Sequence, residues 1–282
     1  MSSSSELLMN SDSIKPVGAR EGGWEEFTLA GTAAACPVWR EYCDRLHRNL
    51  LAEWCGGRRF GRVLKTDLFD EAAGEGCLPV MAKMAAEVHG VDVSTPLVDL
   101  VSRRREGFRV SLGDVRRLDF PDASFGLVFS NSTLDHFGSR AEIVESITGF
   151  ARVLEPGGQL LITLDNPRNP MVGLRNFLPQ RPLEASRLVP YFMGVTLPMR
   201  ELVAVLAEAG FRVLKQRYLM HAPRVVFLHL LRALQKFPTV SGVVLQAMLA
   251  MEATAGFPTA GITGHFSAVL AERTNKGWIS GL

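Results

Sequence analysis

The chain has no G-x-G-x-x-G turn, no C-x-x-C pair, no uninterrupted apolar run of membrane-spanning length and no strong excess of either charge. Each absence narrows the function. Without the glycine fingerprint, a pyrophosphate-bearing dinucleotide lacks its usual cradle. Cys36, Cys43, Cys55 and Cys77 are unpaired in sequence and no histidine cluster accompanies them, so no metal site is expected and they read as reduced thiols. Lys plus Arg number 31 against 29 Asp plus Glu, a net charge of +2, which gives no electrostatic footprint for nucleic acid. The densest basic spots, Arg103–Arg105 and Arg116-Arg117, read as solvated faces. The most apolar stretch, Val225–Met251, is broken by Arg232, Lys236 and Pro238, short of the roughly 20 residues a stable span needs. The polar opening "MSSSSELLMNSDS" lacks a signal-peptide core, and a cytoplasmic location is expected.

What is present is a chain of 282 residues, 47% hydrophobic, enough for one large core. Residues 1–22 read as a loose tail and 23–282 as a single domain. Within it, 24–60 is N-terminal helix, with Pro37 near a helix start and apolar positions at Val38, Tyr42, Leu46, Leu50 and Trp54 on one face. From Arg62 the pattern alternates strand and helix: strands in Arg62–Phe69, Val88–Asp92, "FRVSLGD", "FGLVFSNS" and "QLLITLD". This predicts a doubly wound, mostly parallel sheet, whose ligands sit beyond the carboxyl ends of the strands. Residues 61–166 form that core. Segments 167–200 and 222–260, rich in Pro and apolar residues, read as a helical cap or lid; strand six falls in "FRVLKQRYLM" and a last strand in "HFSAVLAER".

At the strand ends stand the loop Asp70–Gly76, Asp92, Asp114, "NSTLDHF" (131–137) and "DNPRNP" (165–170). Gly74 and Gly76 permit close backbone approach, and the helix starting near Cys77 would favour an anionic group at its N-terminus. Asp92 could accept hydrogen bonds from two ribose hydroxyls, with Ser94 and Thr95 left to cap the next helix; Asp114 could accept from an adenine amino group.

With these residues in place, the chain resembles the class I S-adenosylmethionine-dependent methyltransferases, of the small-molecule branch. The resemblance rests on "VHGVDVSTPLVDLV", "LGDVRRLDFPDASFGLVFSNSTLDHF" and "ARVLEPGGQLLITL", and covers about Arg62–Asp165. It implies a seven-stranded Rossmann-like sheet with an antiparallel last strand, S-adenosylmethionine as cofactor, and a cofactor site that includes Asp92, Val93, Asp114, Val115 and Asn131. The departure is the first loop. The family's acid-x-Gly-x-Gly-x-Gly fits Asp70-Glu71-Ala72-Ala73-Gly74-Glu75-Gly76 with Ala72 in place of a glycine, and this frame is preferred. In a second frame the strand lies at Val63-Leu64, Asp67 stands at the first glycine, and Asp67, Glu71 or Thr66 faces the ligand. Either way the loop is acidic, which suits a sulfonium and an amine and opposes phosphate.

Methyl transfer is an in-line displacement in which the protein mainly orients the acceptor. Asp135 and His136, after strand four, are candidate catalytic residues on the acceptor side, with His221 second. The apolar cap suggests a small lipophilic or aromatic acceptor. The alternatives are a SAM-binding scaffold with little turnover and a module that dimerises through Val225–Met251, the latter compatible with the enzyme.

Overall fold

The computed structural model describes residues 36–105, 107–177 and 194–274. Its first element, α1 (Pro37–Cys55), begins at the proline, whose missing N–H costs nothing in the first helical turn. It buries Tyr42, Leu46, Leu50, Leu51 and Trp54. There follow β1 (Phe60–Thr66), the short α2 (Phe69–Ala73), α3 (Leu78–Met84), β2 (Ala85–Asp92), α4 (Thr95–Arg104), β3 (Arg109–Leu112), β4 (Phe125–Asn131), α5 (Arg140–Val153), β5 (Leu154–Asp165), α6 (Pro170–Phe177), α7 (Met199–Glu208), β6 (Phe211–Leu219), α8 (Arg224–Ala233), α9 (Pro238–Ala250), α10 (Ala260–Thr263) and β7 (Phe266–Arg273). Residues 24–35 of the expected N-terminal helices and the tail lie outside the described residues.

The sheet has the order β3-β2-β1-β4-β5-β7-β6, parallel except for β7, which runs antiparallel to both neighbours. This is the expected seven-stranded, Rossmann-like methyltransferase sheet. The two-residue period of the strands divides the core into two layers. Val63, Leu127, Phe129 and Leu161 pack with α1, α3, α8 and α9, whereas Leu64, Val128, Leu160 and Ile162 pack with α5 and α7. The central strands β1 and β4 are buried on both faces, hence their near-continuous apolar runs.

One boundary differs from expectation in a way that matters. β1 ends at Thr66, where its pairing with β2 and β4 stops, so Phe69 belongs to a helix and not to the strand. The frame with Val63-Leu64 in the strand and Asp67 at the first-glycine position is therefore the one realised. Asp67 has φ 68°, a backbone conformation that suits glycine and that Asx residues tolerate best among the others. The preferred Asp70 frame is corrected. Asp70 and Glu71 are helical, and Ala72 is buried beneath Leu97 and Val101 rather than lining a turn.

Candidate active site at the strand ends

The crevice at the carboxyl ends of β1, β2 and β4 is organised by carboxylates acting on backbone. Asp67 N donates to Val91 O at 2.9 Å, tying the β1 loop to β2. Asp92, last residue of β2, accepts from Leu68 N (2.7 Å) through Oδ2 and from Ser94 N (2.8 Å) through Oδ1. Asp92 thus serves the turn into α4 as well as the loop, a duty assigned by sequence to Ser94 or Thr95; the Ser94 side chain makes no capping bond. The Val93 backbone also bonds this carboxylate, and since a carboxylate offers about four acceptor sites, some acceptor capacity remains. Asp67 Oδ1 accepts from Phe69 N at 2.8 Å. Desolvation and the charge of Asp92 push the Asp67 carboxyl up to about 8. Burial likewise raises the Asp92 carboxyl, against the pull of its backbone bonds.

The remaining acids of the loop are neutralised from within. Glu71 Oε2 lies 3.0 Å from Lys65 Nζ with both side chains fully buried, and Lys65 also donates to Asp67 O (2.5 Å). Glu71 Oε1 accepts from Cys77 N at 2.9 Å and Asp44 Oδ2 from Gly76 N at 3.2 Å. The expected anion site at the start of α3 is therefore filled by the protein's own carboxylates. Asp70 turns toward α1: it pairs with Arg40 (3.1 Å) and accepts from Asn131 Nδ2 (2.8 Å). Burial opposes its ionisation, but Arg40 and Lys65 outweigh burial and hold its carboxyl below the usual range. Gly74 is apposed to Arg40 and Asp44, Gly76 to Glu71, and Glu75 is exposed and paired with Arg48.

Around this core, Asn131 Oδ1 is buried without a hydrogen-bond partner. Asp114 caps the 3-10 turn Val115–Arg117 and holds Arg116 in a two-toothed ion pair (2.9 Å from Nε to Oδ2), and Arg116 continues to Glu142. Val115 is buried; Val93 is exposed.

On the far side of the crevice, beyond β4 and β5, Asp135 Oδ1 accepts from Asp165 N (2.9 Å). Burial and the charge of Asp165 raise its carboxyl well above the ordinary value, which favours its protonated form. His136 is half-buried in the 3-10 turn Leu134–His136. His221 has both ring nitrogens engaged, with Thr263 Oγ1 (2.8 Å) and Tyr218 O (3.2 Å), which makes it a structural residue. Asp165 pairs with Arg175 (2.7 Å) and faces His265 Nε2 (3.5 Å).

Sequence reasoning missed the inward-facing charges: Arg40, Asp44 and His47 on α1, Lys65 in β1, and His265. A signal existed for the first three. They fall at i, i+4 and i+7 among the apolar positions of one helix, a face that must be buried. Lys65 sits in a double-sided apolar strand, where a lone cation demands an acid.

Comparison with known proteins agrees with this geometry. Residues 69–162 match the family described as "Methyltransferase domain", about a third of the chain and a range that includes Asp70–Gly76. The chain is 37% identical over 82 residues to "Probable tRNA methyltransferase 9B" of Mus musculus, covering 28% of this chain and 18% of that protein. It is 26% identical over 179 residues to a "Probable S-adenosylmethionine-dependent methyltransferase" of Mycolicibacterium smegmatis, covering 60% and 63%. The chain thus spans less than two thirds of the length of either relative. Among solved structures, the cyclase SpnF superposes with a TM-score of 0.55 at 20% identity, covering 82% of this chain and 80% of that one.

The family match and the fold imply S-adenosylmethionine as the cofactor. The residues present fit it in charge: Asp67, half-buried, and Asp92, buried, stand at the ends of β1 and β2, and Asn131 Oδ1 is a buried acceptor without a hydrogen-bond partner. The backbone cradle differs from the family's, since Asp67, Phe69 and Glu71 stand where glycines would be. Together, the domain match over 69–162 and the seven-stranded sheet with antiparallel β7 support a class I methyltransferase.

Proposed function

We propose that the chain transfers a methyl group from S-adenosylmethionine to a small, lipophilic or aromatic acceptor. The observation that carries this reading is the acid pair Asp67–Asp92 at the rim of β1 and β2. The remaining acceptor capacity of Asp92 suits ribose hydroxyls, and Asp67 with Asn131 Oδ1 suits the amine of the methionine tail. Val93 and Val115 flank the base; Asp114 reaches its amino group only while shared with Arg116. The cofactor supplies an electrophilic methyl carbon. The protein's part is to hold the acceptor in line beyond β4 and β5, beside His136, Asp165 and Asn166. Asp135 acts there as a buried strut, its Oδ1 accepting from Asp165 N. The near-balanced charge of the chain disfavours a tRNA acceptor, the substrate class named for the mouse relative.

Titration calorimetry with S-adenosylmethionine and its demethylated product, followed by transfer of labelled methyl into organic-extractable small molecules, tests the proposal. Binding with turnover on lipophilic acceptors supports it, and turnover only on hydrophilic ones overturns the acceptor class. Binding without turnover on any acceptor selects the second reading, a SAM-binding scaffold, which the loss of the glycine cradle at Asp67, Phe69 and Glu71 favours.

A further inference from the structure

The helices α8 and α9 have a composition that the cofactor crevice does not explain. Between Glu208 and Glu252 the sequence contains no acidic residue, while Arg232 and Lys236 are exposed near the α8–α9 junction. Within these two helices and their junction Val226 is 62% exposed, Phe237 58% and Val243 65%. α9 carries no charged residue at all, yet one side of it, with Val240 and Val243, lies open to solvent. A solvent-facing helix normally carries charge on its outer face. A cluster of exposed apolar residues marks a surface with a partner.

We propose that the outer face of α8 and α9 docks on an anionic lipid bilayer. Two features select this occupant, and two other occupants are disfavoured. The charged groups flanking the apolar face are cationic only, which complements acidic headgroups and lets long side chains keep their charge at the interface. Neither helix is long and apolar enough to cross a membrane, so the face lies on the bilayer plane. A second copy fits less well, because a two-fold contact sets the same patch against itself and brings like charges together. RNA fits less well because the outward residues are aliphatic for the most part, offering neither hydrogen bonds nor a stacking platform. The proposal is independent of the methyl-transfer reading, since vesicle binding is read without cofactor or acceptor.

The test is co-flotation of the full chain with vesicles of phosphatidylcholine alone and of phosphatidylcholine with 30% phosphatidylglycerol (an assay composition, ~30 mol%, chosen to give an anionic surface). The expected result is binding to the anionic vesicles only. It should weaken about tenfold or more in R232E/K236E, as follows from removing two surface cations, and with rising salt. It should vanish in V240D/V243D, whose fold is checked by circular dichroism. Failure of the folded wild-type chain to float with anionic vesicles overturns the proposal. Equal binding to neutral vesicles overturns the electrostatic part of it. A concentration-dependent dimer in sedimentation, or tRNA retention on a filter, that is lost in V240D/V243D while flotation is unaffected would assign the face to a second copy or to RNA instead.

Discussion

Lys65 Nζ and Glu71 Oε2 meet at 3.0 Å with both side chains sealed from solvent. The pair joins the last turn of β1 to α2 and, through Glu71 Oε1 and Cys77 N, to the start of α3. It fixes the altered loop by side-chain charge, where a glycine-rich turn would rely on backbone alone. Removing one partner leaves a buried uncompensated charge, so Glu71→Gln and Lys65→Met are each expected to cost about 3–5 kcal/mol of stability. K65M/E71M together should recover most of that loss. Urea denaturation of the three variants checks it, and an additive double mutant would show that the pair does not act as a unit.

Asp67 gives a proton-linked prediction. Its folded-state carboxyl is raised to about 8 from an ordinary 3.8. The ligand-free folded chain therefore holds a proton that the unfolded chain releases, and this group's contribution to stability declines as pH rises from about 4 to about 8. A cation bound beside Asp67 drives the proton off. S-adenosylmethionine binding near pH 7 should accordingly release a fraction of a proton, seen as a dependence of calorimetric enthalpy on buffer ionisation. Asp67→Asn should abolish that dependence.

Asp92→Ala should weaken S-adenosylmethionine binding by roughly 1–3 kcal/mol, the scale of charge-assisted hydrogen bonds. It also strips acceptors from Leu68 N and Ser94 N, so stability should fall as well. Asp92→Asn retains one acceptor and separates the two effects: a binding loss at near-wild-type melting temperature assigns the ribose role, whereas unchanged affinity removes it.

His47 and His265 are both held neutral, their imidazoles pushed down to about 4 by burial against the partial pull of Asp70 and Asp165. The unfolded chain protonates near 6.5, so stability is fully present above that pH and is lost as pH falls toward 4. His47→Gln should flatten this acid limb of a melting-temperature profile measured from pH 7 to 4.

Gly76 has φ +61°, and a Cβ there would collide with the Glu71 carboxylate. Gly76→Ala should therefore destabilise by more than about 1 kcal/mol, the usual left-handed penalty, because it also displaces the Lys65 partner. Thermal melts compared with Gly57→Ala, whose Cβ meets nothing, provide the control.

Much of this protein is decided by pattern alone. The two-residue alternation at Val63-Leu64, Leu127–Phe129 and Leu160–Ile162, the helix-period faces between them and the cap at Ser139 require only local geometry and water's exclusion from apolar surface. They specify a two-layered parallel sheet and place Asp92, Asp114 and Asn131 at its rim. The register of the first loop was not legible in this way. "VLKTDLFDEAAGEG" admits two frames, and the choice between them depends on Arg40 of α1 drawing Asp70 away and on Lys65 holding Glu71 inward. Those partners are remote in the chain or on the far side of a turn. Charge pairing acts through space and not along the sequence, so only the folded chain could settle which acids remain for a ligand.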